Sequence, residues 1–169
     1  MIRAVTLVAA VAAASGPMQL HSSDCPPGTP IATRTMAADC GGKNLSPSLA
    51  WSSAPAGVKS FAVIMHDADA PVAGGFYHWI VYNLPAGTTR LAAGAKLAPG
   101  QLGTNSLGKA AYYGPCPPPG PAHHYTITLY ALDVPSVESE APPTAPQLAA
   151  RIEGHVLARA VVATTARTL

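Results

Sequence analysis

The sequence predicts a mainly β, loop-rich fold on three observations. Short runs of continuous or alternating apolar residues recur along the chain, each of strand length. Pro and Gly, 18 and 15 residues, fall between those runs and mark turns. One stretch near the C-terminus, from Ala145 or Pro146, instead keeps an apolar face at helical spacing through Leu148, Ile152, Val156 and Leu157.

The elements follow in order. Arg3, the apolar run Ala4 to Ala14 broken only by Thr6, and Ala12-Ala13-Ala14 before Ser15 have the form of a cleaved secretory signal. The run is shorter than the roughly 20 residues that cross a bilayer, so no membrane insertion is expected. Residues 1–14 therefore read as a signal peptide and 15–169 as one domain, exported to the periplasm or secreted. Cys25 follows Ser22-Ser23-Asp24, not an apolar lipobox, and does not read as a lipid-bearing cysteine. Residues 17–44 are rich in Pro, Gly, Ser and Thr, with Ile31 to Met36 a short strand. Leu49-Ala50-Trp51 begins another, ended by Ala54-Pro55-Ala56-Gly57. Phe61 to Met65 is apolar without a break and reads as a strand buried on both faces; His78 to Leu84 is a second. Residues 86–122 form a long structured loop. Tyr125 to Ala131 alternates, as a strand with one face on the core does. Val134 to Pro146 is a Pro-broken connection, and Arg159 to Thr165 a final strand after the helix.

Charge removes some functions. Only 11% of residues are charged and the net charge is +2, with no basic run, so nucleic acid is not an expected partner. Three Cys in an exported chain leave one unpaired, and any of three intramolecular pairs is open.

Polar residues gather at strand ends in three segments: His66-Asp67-Ala68-Asp69-Ala70-Pro71, Tyr77-His78-Trp79, and Tyr112 to Gly120 followed by His123-His124-Tyr125. If strands 61–66 and 78–84 run antiparallel, Asp67 and His78 share a rim. His123 and Tyr125 join it if their strand is also antiparallel to 61–66. Taken singly, the Asp pair is a turn, His78 a bonded rim residue and His123-His124 surface. A single small anion uses all of them: imidazole N–H groups donate to its oxygens, Asp orients a His, and the Pro-rich loop forms a stiff wall. Gly103 to Ala110 nearly spells a phosphate loop, but it lacks the metal-binding hydroxyl and is followed by prolines where a helix is required. Asp67, His78 and His123 match no standard metal spacing, so no metal is assigned.

These motifs resemble the phosphatidylethanolamine-binding protein (PEBP) family, and in particular its bacterial, Raf-kinase-inhibitor-like branch. The family's Asp-Pro-Asp-Ala-Pro stands here as Asp67-Ala68-Asp69-Ala70-Pro71, its His-Trp as His78-Trp79, and its Gly-x-x-Pro-Pro-x-Gly loop leading to His-Arg-Tyr as Gly114 to Gly120 leading to His123-His124-Tyr125. Cys40 to Pro47 and Leu49-Ala50-Trp51 also match the bacterial branch, and the likeness covers roughly residues 22–166. Ala68 replaces a Pro and His124 an Arg. The resemblance implies two packed, mostly antiparallel sheets with a few short helices and a C-terminal helix and strand. It also implies a non-catalytic, cofactor-free pocket for small anions or phosphorylated headgroups. Carried over residue by residue, that pocket comprises Asp67, Asp69, His78, Tyr112, Gly114, Pro117, Pro118, His123 and Tyr125. Cys40 and Cys116 lie in family-like segments near one rim, so their disulfide is expected, with Cys25 left over. A cis Ala70-Pro71 bond is expected by the same resemblance. Anion affinity is expected to rise as pH falls through about 6.5, because His78, His123 and His124 are titratable cation candidates in these segments. The rival readings are an inhibitor module that holds a protein partner with the rim loops, and a weak hydrolase or metal enzyme.

Overall fold

The computed structural model describes residues 16–98 and 101–168, so the signal-peptide reading of residues 1–14 lies outside the described residues. Two antiparallel sheets share the core. A three-stranded sheet has the order β1 (Gln19–His21), β2 (Leu49–Ser52), β5 (Arg90–Leu91). A four-stranded sheet has the order β4 (Phe76–Pro85), β3 (Ser60–Asp67), β6 (His123–Leu132), β7 (Val156–Ala166). One helix, α1 (Ala145–Ile152), and two short 3-10 turns complete the secondary structure among the described residues.

The unbroken apolar run of β3 has a direct cause. Phe61, Val63 and Met65 point into the core between the sheets, where they meet Trp51, Leu49 and Leu20. Ala62 and Ile64 point the other way, onto a second cluster with Leu148 and Ile152 of α1 and with Val137. β4 divides likewise, Trp79 and Val81 inward and Ile80 and Tyr82 toward the helix. Each large side chain so buried contributes on the order of 1.5–3 kcal/mol. β6 keeps one face on the core through Tyr125, Ile127 and Leu129, as its alternation implies.

Three expected elements differ. Ile31 to Met36 is not a strand: Thr35 Oγ1 donates to the Ala32 carbonyl (2.7 Å), and residues Thr33–Thr35 close into a 3-10 turn. The helix stops at Ile152, short of Val156 and Leu157. Gly154, at φ 82°, reverses the chain, and Val156 onward pairs with β6, where its β-branched residues fit a pleated ladder. The loop 86–122 contains β5, and its phosphate-loop-like segment is a turn wrapped round Asn105. That side chain accepts from the Leu107 and Lys109 N–H groups and donates to the Ala111 carbonyl.

Cys40 and Cys116 are disulfide-bonded, with Cα atoms 5.5 Å apart. Cys25 is free and buried, and burial pushes its thiol up to about 11. Register places the site: Asp67, at the end of β3, pairs with Phe76 at the start of β4 and with Tyr125 near the start of β6.

Candidate functional site

Asp67 is the hub of this rim. It is 3% exposed, and both carboxylate oxygens are used. Oδ1 accepts the Asp69 N–H (2.9 Å), and Oδ2 accepts from His123 Nδ1 (2.8 Å). Asp69 lies outside it, on the surface, and takes both the N–H and Nδ1–H of His124 at 2.7 Å. Those hydrogen bonds from His124 hold the Asp69 carboxyl below its ordinary value.

His78, 4% exposed, faces Asp67 from β4. Its Nδ1 lies 2.7 Å from the Tyr113 carbonyl, which can only accept, so Nδ1 carries the proton. Nε2 is therefore a lone pair, buried and without a partner among the described residues. Desolvation pulls the ring's pKa down to about 4, against the opposing pull of the Tyr113 carbonyl and Asp67. The expected tightening of anions near pH 6.5 thus cannot come from His78, which stays neutral there. Sequence alone did not reveal the cause, the packing of Phe76 (4.6 Å between rings) and Tyr125 (5.3 Å) on the imidazole. The Tyr125 hydroxyl is also buried and unpartnered among the described residues, and burial with the nearby Asp67 charge keeps it a phenol.

These groups line a cavity of about 150 Å³. Of the expected residues, Asp67, His78, Pro117, Pro118, His123 and Tyr125 form its walls. Tyr112 and Gly114 do not. The Tyr112 hydroxyl donates to the Thr35 carbonyl (2.8 Å), and its ring abuts Trp79. Gly114 donates its N–H to Asn44 Oδ1 (2.7 Å), and a Cβ there would strike the backbone of Thr35 to Ala37. Both residues anchor the wall from behind. Phe76 and Val72 line the cavity unforeseen, and Tyr113 and Cys116, which lie in the third segment without being assigned to the pocket, join them. Strand alternation could have found Phe76, which is two residues before His78 and on the same face. Ala70-Pro71 is not cis, since no cis bond occurs among the described residues. The turn is shaped instead by Asp67 capping the Asp69 N–H and by Val72 N–H donating to the Ala70 carbonyl (2.7 Å). A larger hollow of about 560 Å³ beside α1 is open surface lined by Glu138, Glu140 and Arg151, with no buried polar atom to satisfy. Among the described residues no trio of His, Cys, Asp or Glu is arranged to hold a metal.

The family model of the phosphatidylethanolamine-binding protein matches residues 21–167. The chain belongs to this family. Among its PEBP relatives is the UPF0098 protein YbhB of Escherichia coli, 37% identical over 86% of this chain and 97% of its own. The E. coli protein YbcL, whose crystal structure is described as a new member of the mammalian PEBP family, superposes with a TM-score of 0.83 at 33% identity. That superposition covers 90% of this chain and 99% of YbcL. A PEBP homologue from Chlamydia trachomatis, CT736, superposes with a TM-score of 0.81 at 37% identity, over 90% of this chain and 99% of its own.

Proposed function

We propose that this PEBP-family chain is an exported, non-catalytic binding protein for a small oxyanion or phosphorylated headgroup. One observation carries the reading: two buried polar atoms, His78 Nε2 and Tyr125 Oη, face a small, largely apolar cavity with no protein partner among the described residues. A buried polar group left unpaired costs about 1–3 kcal/mol, and a ligand that pairs both recovers that cost. At about 150 Å³ the cavity is below the usual range for drug-sized ligands, so it suits a headgroup and not a whole lipid. Among the described residues its lining offers no Ser, Thr or Lys nucleophile, and the Cys116 sulfur is held in the disulfide. That supports holding a ligand over turning it over. Export is supported by the disulfide, which persists in oxidising compartments, and by a Mycobacterium tuberculosis relative, LppC, whose name describes it as a lipoprotein.

Thermal unfolding with phosphoethanolamine tests the reading. Ligand at about 100 times its Kd stabilises by about 2.7 kcal/mol, a shift of several degrees. The same ligand leaves His78→Phe unshifted. No shift of the unsubstituted protein with phosphoethanolamine, inorganic phosphate or simple carboxylates contradicts it.

A further inference from the structure

The atoms around this cavity are unevenly divided between donors and acceptors. The proton of His78 is committed to the Tyr113 carbonyl, so the ring offers the cavity a lone pair. The Asp67 carboxylate is a second acceptor, and among the described residues no Lys or Arg in the lining answers its charge. The Tyr125 hydroxyl is a buried donor with no acceptor at full hydrogen-bonding distance among the described residues, and the Asp67 carboxylate close beside it keeps it protonated. A fully deprotonated oxyanion would set its own lone pairs against His78 Nε2 and its charge against Asp67. A phosphodiester meets the same obstacle, because its phosphate has no O–H.

We infer that the pocket selects oxyanions that carry an acidic O–H of their own, phosphomonoester monoanions and dihydrogen phosphate, over sulfate and over phosphodiesters. The inference rests on the proposed anion-binding reading and narrows its ligand. One tetrahedral group then answers both buried atoms: its O–H donates to His78 Nε2, and an oxygen accepts from Tyr125. His78 cannot supply the missing proton itself, because burial holds it neutral down to about pH 4. The groups facing it are Asp67 of β3, His123 and Tyr125 of β6, Phe76 of its own strand, and Tyr113; His66 of β3 acts on it only through its charge, from the other face of the sheet, where it stacks on Tyr77. Of these, the Asp67 charge favours protonation of His78, while His66 and His123 oppose it.

Calorimetry at about pH 5.5, below a phosphomonoester's second pKa of about 6, tests the selection. Four probes are titrated into the full chain: phosphoethanolamine, inorganic phosphate, sulfate and glycerophosphoethanolamine. Sulfate matches phosphate in size and shape but carries no proton at this pH. Glycerophosphoethanolamine presents the lipid headgroup as a diester. Phosphoethanolamine and phosphate are expected to bind at least about tenfold tighter than the other two, the penalty for leaving a buried acceptor unpaired. In His78→Gln the amide can turn a donor toward the ligand, so the preference for phosphate over sulfate falls to within about threefold. Equal affinities for phosphate and sulfate in the unsubstituted protein overturn the selection and leave the anion pocket standing. A preference unchanged in His78→Gln overturns it as well. Binding of none of the four overturns both.

Discussion

Two histidine–aspartate pairs sit side by side on this rim and differ almost only in burial. His123–Asp67 is inside, with side chains 13% and 5% exposed, and His124–Asp69 is outside, at 74% and 45%. Their separations are nearly equal, 2.8 and 2.7 Å, and the residues are neighbours in sequence. Strand alternation decides which His turns inward. Sequence proximity and chemical type do not mark a site here; the face of the strand does. The inner pair is screened little and orients groups around the cavity. The outer pair is solvated, and pairs of that kind are worth about 0–1 kcal/mol.

The largest expected effect tests what the inner pair leans on. Cys116 lines the cavity and is tied to Cys40, 76 residues away in sequence. Replacing both by Ser removes a cross-link worth about 4 kcal/mol by chain entropy, read by urea unfolding. It also weakens phosphoethanolamine binding, whereas a merely peripheral bond would cost stability and leave affinity alone.

The next tests the inner pair itself. Asp67→Ala strands two donors, His123 Nδ1–H and the Asp69 N–H, and should cost about 3 kcal/mol of stability. A cost below about 1 kcal/mol would put the inner pair in the same class as the outer one.

The third is a pH effect. The folded pKa of His78 is about 4 and its ordinary value is 6.5, so the unfolded chain binds the extra proton first as pH falls. Its stabilising contribution is full above about 6.5 and is lost as pH falls toward 4. Between pH 7 and 5 this removes about 2 kcal/mol, a slope that His78→Phe abolishes. An unchanged slope in that variant would assign the acid sensitivity elsewhere.

Asp69→Ala is the smallest. Unfolding should shift little, less than for any of the other variants, and ligand affinity should stay unchanged. The depressed Asp69 carboxyl means that its small contribution is present above the ordinary carboxylate value and fades as pH falls through the lower folded one.

Much of this arrangement was legible in the sequence. The unbroken run of β3 announced burial on both faces, and antiparallel pairing put Asp67, His78 and His123 at one rim. The Cys40–Cys116 bond was legible through family resemblance, not through spacing. Other features depend on contacts that local pattern does not carry. Whether Tyr112 or Tyr113 enters the cavity depends on Thr35, which captures the Tyr112 hydroxyl from 77 residues away. The helix end depends on β6 claiming Val156 for its ladder. The basicity of His78 depends on one ring of its own strand, Phe76, and one brought by β6, Tyr125, so Tyr77-His78-Trp79 alone could not have shown it lowered.

The most direct test of the rim pocket is a long-range nitrogen–proton spectrum of the six histidines, recorded while phosphoethanolamine is added. His78 and His123 should move together and saturate, with Nε2 of His78 remaining unprotonated, while exposed His124 and His155 stay in place. Shifts confined to His124 or His155, or none at all at saturating ligand, would contradict the account.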